Sequence, residues 1–146
     1  MRLVIDASVA AKWFNQEELT DQAVKVKERH VRAEVELIAP SHLLCEVANS
    51  IWRNPQLADG DARHAVLALS DLGIALLPPE GERLGRTMEI ARQKGISFYD
   101  AAYIQAAKET DASLITADEI QLKAATGIIQ ALHLRGMPGI DSMIIR

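Results

Sequence analysis

A chain of 146 residues that is 49% apolar and 25% charged has the composition of one folded domain, since at about this length roughly 70% of the unfolded chain's surface is removed from water. A net charge of −4 excludes a duplex binder relying on a broad basic surface, and 4% aromatics leave little for base stacking on aromatic platforms. The single cysteine, Cys45, excludes an internal disulfide framework and a cysteine-rich zinc site, and makes a reducing, cytoplasmic compartment the expectation.

Leu3-Val4-Ile5 is a short apolar run with two β-branched residues and predicts a buried strand ending at Asp6. Ala7 and Ser8 then open a helical stretch through Phe14. So early a candidate functional residue reads as leaving no room for a signal peptide, and no apolar run approaches the about 20 residues that span a bilayer, so no membrane is expected. Leu19, Ala23, Val26 and Ala33 recur at helical spacing. Residues 36–39 predict a second strand, and Pro40 and Ser41 introduce a helix with Leu43, Leu44, Val47, Ala48 and Ile51 on its apolar side and Glu46 in its first turns. Asn54-Pro55 ends it, and Asp59-Gly60-Asp61 reads as the break before a helix carrying Ala62, Val66 and Leu69.

Residues 74–77 predict a third strand, closed by Pro78-Pro79. Leu84, Met88 and Ala91 mark a helix ended by Gly95. Ser97-Phe98-Tyr99-Asp100 is a capping-box pattern, and residues 101–107 are apolar on nearly every face, as in a buried helix. Residues 113–116 predict a strand, 119–125 a helix and 131–134 a weaker strand; 126–146 is the least patterned stretch and reads as an edge strand and tail. Strand alternating with helix implies a three-layer α/β/α sandwich with a central, mostly parallel sheet, built as one domain over 1–146.

Four acids carry the chemistry. Asp6, Glu46, Asp100 and Asp118 each stand at or just beyond a junction of strand and helix, so separations of 40, 54 and 18 residues lead back to one sheet edge, where ligands of open parallel sheets bind. Each also has a structural reading: Asp6 and Asp118 as N-caps, Asp100 as part of the capping box, Glu46 as a helical surface residue. Two carboxylates about 4 Å apart repel by roughly 4 kcal/mol at an effective dielectric near 20, so four of them call for a counter-charge. Oxygen ligands alone favour Mg²⁺ or Mn²⁺, whose chemistry suits hydrolysis of a phosphodiester. Ser8 and Thr116 each neighbour an acid and are candidates to hold a metal-bound water or a phosphate, with helix capping the equal alternative for Ser8. Lys12, one turn beyond Ser8, is a candidate for substrate phosphate, and Arg53, Arg86, Arg92 and Lys94 for a basic rim. His42 and Glu46 share a helix face at the spacing zinc sites use, but no second histidine follows. Trp13, Phe14 and Trp52 read as core or interface, and Cys45 as packing.

Taken together, Val4-Ile5-Asp6-Ala7-Ser8-Val9-Ala10-Ala11-Lys12-Trp13-Phe14, Glu46-Val47-Ala48-Asn49-Ser50-Ile51-Trp52, Tyr99-Asp100-Ala101-Ala102-Tyr103 and Thr116-Ala117-Asp118-Glu119 resemble the PIN-domain family, and within it the VapC toxins of prokaryotic toxin-antitoxin pairs. The likeness runs from Met1 to about Ala125. It implies an endoribonuclease dependent on Mg²⁺ or Mn²⁺, with Asp6, Glu46, Asp100 and Asp118 as the acidic quartet, Ser8 or Thr116 as polar support, a homodimeric state, and a small VapB-type antitoxin as partner. The competing readings are a non-catalytic PIN-fold module that binds RNA or protein, and a receiver-like phosphoacceptor domain. The second wants a pair of acids after the first strand, where this chain has Ala7 and Ser8.

Overall fold

The computed structural model describes residues 1–136. Its centre is a five-stranded, wholly parallel sheet in the order β3-β2-β1-β4-β5, formed by β1 (Arg2–Ile5), β2 (Glu36–Pro40), β3 (Ala75–Leu77), β4 (Ser113–Thr116) and β5 (Ala131–His133). Side chains alternate between the two faces of a strand. Leu3, Val4 and Ile5 are nonetheless all buried, as is every residue of β4, so helices cover both faces.

The helices are α1 (Ala7–Ala10), continued by a 3₁₀ turn (Ala11–Trp13), α2 (Thr20–Val31), α3 (Leu43–Trp52), α4 (Asp59–Asp71), α5 (Gly81–Lys94), α6 (Phe98–Thr110) and α7 (Glu119–Ala125). From β1 to β2 to β3 the chain steps one way across the sheet; from β3 to β4 to β5 it steps back. Parallel crossovers are right-handed, so the first direction lays α2, α3 and α4 on one face and the second lays α5, α6 and α7 on the other. Helix α6 packs across β1, β2 and β4, with α5 against it. The direction reverses between β1 and β4, and a crevice opens there beyond the strands' carboxyl ends.

Most predicted boundaries fall within a residue or two of the observed ones, and three readings need correction. Asp59, Gly60 and Asp61 are not a break before a helix but the first turn of α4, where acids oppose the positive end of the helix dipole. Ala33 does not extend α2, which stops at Val31; it lies beyond the helix at φ 59°. Cys45, read as packing, is exposed. Trp52, read as core or interface, is 78% exposed, which removes only the first half of that reading. The stretch 137–146, read as part of the tail, lies outside the described residues.

Local capping places the acids. Ser97 Oγ accepts from the Asp100 amide at 3.0 Å and starts α6, as its capping-box sequence predicts, while Gly95 ends α5 in the left-handed region at φ 65°, where a side chain is strained. Ser97→Ala removes the acceptor for that amide and is expected to lower the unfolding free energy by about 1 kcal/mol, read by urea denaturation.

Candidate metal centre

Asp6 leaves the end of β1 and caps α1; Asp118 leaves the end of β4 and caps α7. Because β1 and β4 are neighbours at the reversal point, these two acids meet at the crevice. Asp6 is 5% exposed, and its carboxylate is held on both sides. Oδ1 accepts from the Ser8 amide at 3.1 Å and from the Ser8 hydroxyl at 2.5 Å, while Oδ2 accepts from the Thr116 hydroxyl at 2.5 Å. Ser8 Oγ also accepts from the Ala117 amide at 2.8 Å, and Thr116 Oγ1 from the Asp118 amide at 3.0 Å. These bonds tie the start of α1 to the end of β4 and bring Ser8 and Thr116 onto the Asp6 carboxylate.

Asp118 Oδ1 accepts from the amides of Ile120 at 2.8 Å and Gln121 at 3.4 Å. Among the described residues, capping occupies one oxygen of Asp118 and leaves the other without a protein donor, whereas both oxygens of Asp6 accept from protein groups and Oδ2, with one donor, keeps a lone pair. Gln121 Nε2 donates to the Asp100 carbonyl at 2.9 Å, so α7 is pinned against the head of α6 and Asp118 is brought towards Asp100.

Glu46 completes the set from α3. The hydroxyl of Tyr103, one turn beyond Asp100 on α6, donates to Glu46 Oε1 at 2.8 Å. His42 Nε2, one turn earlier at the head of α3, lies 3.1 Å from the same oxygen. Its ring meets those of Tyr99 and Tyr103 edge-on, with centroids 5.2 and 5.1 Å away. No role was read for Tyr103 from the sequence. Its i+3 spacing from Asp100, which puts both on one helix face, was the available signal.

The electrostatics run through the same residues. Burial pushes Asp6 up to about 6; the Ser8 and Thr116 hydroxyls restrain it and the charge of Asp118 adds to the rise. Burial also raises Asp100, with Ser97 opposing and Asp118 and Glu46 adding repulsion. Burial pushes Glu46 upward too, but His42 and the Tyr103 hydroxyl outweigh it and hold the carboxyl below its ordinary value. Desolvation first, and then Glu46, drive the Tyr103 hydroxyl far above its ordinary range, so it stays protonated and donating. Asp6 senses Asp118, Asp118 bears on Asp100, and Asp100 senses Glu46, so the four acids form one electrostatic arc.

Among the described residues, no three acidic, histidine or cysteine side chains close into a ready-made metal cage. An open arc of hard oxygens suits Mg²⁺ or Mn²⁺: Mg²⁺ keeps several waters and takes one or two carboxylates, whereas structural zinc wants four close ligands, mostly N or S. Beside the arc lies an open groove of about 600 Å³ lined by Ser8, Lys12, Asn15, Arg53, Asn54 and Ala117, among others. Lys12 lies where its spacing suggested. Of the four residues read as a basic rim only Arg53 joins it; Arg86 is paired with Glu82 and Lys94 donates to the Thr126 carbonyl.

With this geometry in place, residues 3–127 match the PIN domain family. The chain belongs to that family. This PIN domain is 32% identical over 122 residues to Ribonuclease VapC3 of Pyrobaculum aerophilum, covering 81% of this chain and 90% of the relative. It is 30% identical over 99 residues to Exonuclease VapC9 of the same organism, covering 64% of this chain and 71% of the relative. Among solved structures it superposes on VapBC2 from Rickettsia felis bound to a DNA fragment from their promoter, with a TM-score of 0.68, 14% identity, and coverage of 91% of this chain and 98% of that one. At that identity the likeness is one of fold, and the shared fold is the three-layer PIN sandwich.

Proposed function

We propose that this PIN domain is a nuclease, an endoribonuclease dependent on Mg²⁺ or Mn²⁺, acting as the toxin of a toxin-antitoxin pair. The observation that carries the reading is the arc of Asp6, Asp118, Asp100 and Glu46 at the reversal point of the sheet, with carboxyls driven above their ordinary pKa by burial and mutual repulsion at Asp6 and Asp100. A divalent cation bound there supplies neutralisation of the acids, Lewis-acid polarisation of the phosphodiester and activation of the attacking water. Asp6, Asp100 and Asp118 are the residues proposed to hold it, with Glu46 at the end of the arc. Ser8 and Thr116 fix the Asp6 carboxylate by donating to both its oxygens. Tyr103 fixes Glu46, and Lys12 lies in position to meet substrate phosphate.

The relatives carry names of a ribonuclease and an exonuclease, and the superposed solved structure is VapBC2 bound to a DNA fragment from their promoter. On those grounds a small VapB-type antitoxin is the proposed partner, a homodimer the proposed assembly and the cytoplasm the proposed compartment. Among the described residues no helix is long and apolar enough to cross a membrane. Trp52, Val66 and Leu67 lie exposed along a groove between α3 and α4, an apolar strip of the kind that marks contact with another chain.

The groove beside the acids is open to solvent, so a strand can lie along it without presenting an end. A circular single-stranded RNA is therefore expected to be linearised in the presence of Mg²⁺ or Mn²⁺ and left intact in EDTA. Degradation of linear RNA with circular RNA untouched would replace the endonuclease by an exonuclease. RNA bound without turnover in either metal would return the non-catalytic binding module.

A further inference from the structure

The groove beside the arc brings together two cations and a set of linked amides. Among the described residues six of nine arginines stand next to an acid: Arg2 with Glu36, Arg29 with Glu34, Arg32 with Glu28, Arg83 with Glu109, Arg86 with Glu82 and Arg135 with Glu119. Lys12 and Arg53 both line the groove, and among the described residues neither makes an ion pair. One acid, Glu17, also lines it, so the local charge is a modest excess of cation.

Between the two cations runs a chain of uncharged hydrogen bonds. Ser50 Oγ donates to the Val47 carbonyl at 2.7 Å and accepts from Asn15 Nδ2 at 3.2 Å. Asn15 Oδ1 accepts from Asn54 Nδ2 at 2.8 Å, and Asn54 Oδ1 accepts from the Gln56 amide at 3.0 Å. Trp13 anchors the 3₁₀ turn by donating from Nε1 to the Ala23 carbonyl at 2.8 Å. The two asparagines are thus held in place, yet each keeps one N–H and a carbonyl lone pair unspent. Preorganised amides of this kind pair with the polar edges of a nucleobase, and a lysine and an arginine without carboxylate partners pair with phosphate.

We propose that this groove seats the stretch of single-stranded RNA next to the cut, Lys12 and Arg53 binding its phosphates and the Asn15–Asn54 pair reading one base edge. The inference rests on the ribonuclease reading above. A duplex is disfavoured because its two phosphate tracks need a wider basic surface than two cations and Glu17 provide, while an unpaired strand turns its base edges towards the amides.

Binding separates the two ideas when measured on the Asp100→Asn chain, which is expected to hold RNA without cutting it. The probes are a short unstructured RNA and the same sequence as a duplex, titrated over a range of salt. Adding Lys12→Ala and Arg53→Ala is expected to weaken single-strand binding by about tenfold or more and to flatten the salt slope by about 1.4, at about 0.7 for each phosphate no longer neutralised. Both side chains lack partners in the described protein, so their removal leaves the fold intact. Adding Asn15→Ala and Asn54→Ala instead is expected to change preference among homopolymeric RNAs with the salt slope kept. If the parent binds RNA but the Lys12/Arg53 double variant has the same affinity and slope, the groove is not the seat, and the nuclease reading stands. Equal or tighter binding of duplex also overturns the proposal. If the parent binds no RNA and the wild type cuts none, both readings fall together.

Discussion

Asp100→Asn is expected to reduce RNA cleavage in Mg²⁺ or Mn²⁺ by at least about 100-fold, because even residues that only support a metal ligand typically change metal affinity or activity by 10–100-fold. The substitution is close to isosteric and keeps the backbone bond that starts the helix, in which Ser97 Oγ accepts from the Asp100 amide; an amide side chain can also still accept from the Ser97 hydroxyl that bears on the carboxylate. Asp100 is also the middle of the arc, sensing both Asp118 and Glu46. Converting it to an amide relieves repulsion, so the variant should fold at least as well as the wild type by circular dichroism while losing turnover. Folded protein with undiminished cleavage would remove Asp100 from the mechanism. Cleavage lost together with the fold would point to the uncharged Asp100→Ala and Glu46→Gln variants as the decisive pair.

The second large effect concerns Asp6 in protein stripped of metal. Its carboxyl stands at about 6 against an ordinary 3.8, so the folded state holds this proton more tightly than the unfolded state does. A raised acid makes stability greatest below the unfolded value and progressively lost as pH rises from about 4 to about 6. The loss at neutral pH is about 3 kcal/mol, at about 1.4 kcal/mol for each unit of the rise. Asp6→Asn removes the buried charge and keeps acceptors and donors within reach, since Ser8 can donate to its oxygen and Thr116 can accept from its amide. In EDTA at pH 7.5 the variant is therefore expected to melt several degrees above the wild type, and the two should converge near pH 4. Adding Mg²⁺ should raise the melting temperature of the wild type and not of the variant, which cuts no RNA. A variant less stable than the wild type at pH 7.5 without metal would show that the Asp6 charge is not a burden on the fold. Asp100 adds to this pH trend and Glu46 opposes it, which is why the difference between wild type and variant, not the wild-type curve alone, reads out Asp6.

Much of this site was legible in one dimension. An acid directly after a β-branched apolar run has few places to go in a parallel sheet other than its carboxyl edge, and this placed Asp6 and Asp118 together. Ser97 and Asp100 announced a helix start that the hydrogen bond at 3.0 Å realises. Glu46 was harder, since nothing local distinguishes a helical glutamate at a site from one in solvent; the resemblance to PIN domains supplied what periodicity does not. Trp52 sits in a patterned helix, and hydrophobicity alone does not say whether a large side chain faces the core or a surface, so its two readings stayed open until its exposure excluded the core.

Local physics in the sequence determined the elements, the parallel class and which acids lie at the sheet edge, because strand and helix periods, caps and breakers act over a few residues. Only the tertiary structure decided which partners those acids share. The bonds from Thr116 to Asp6 and from Tyr103 to Glu46, and the Asn15–Asn54 amide chain, join residues 110, 57 and 39 positions apart. Such contacts are set by the packing of crossovers on a twisted sheet, and no local pattern in the chain records them.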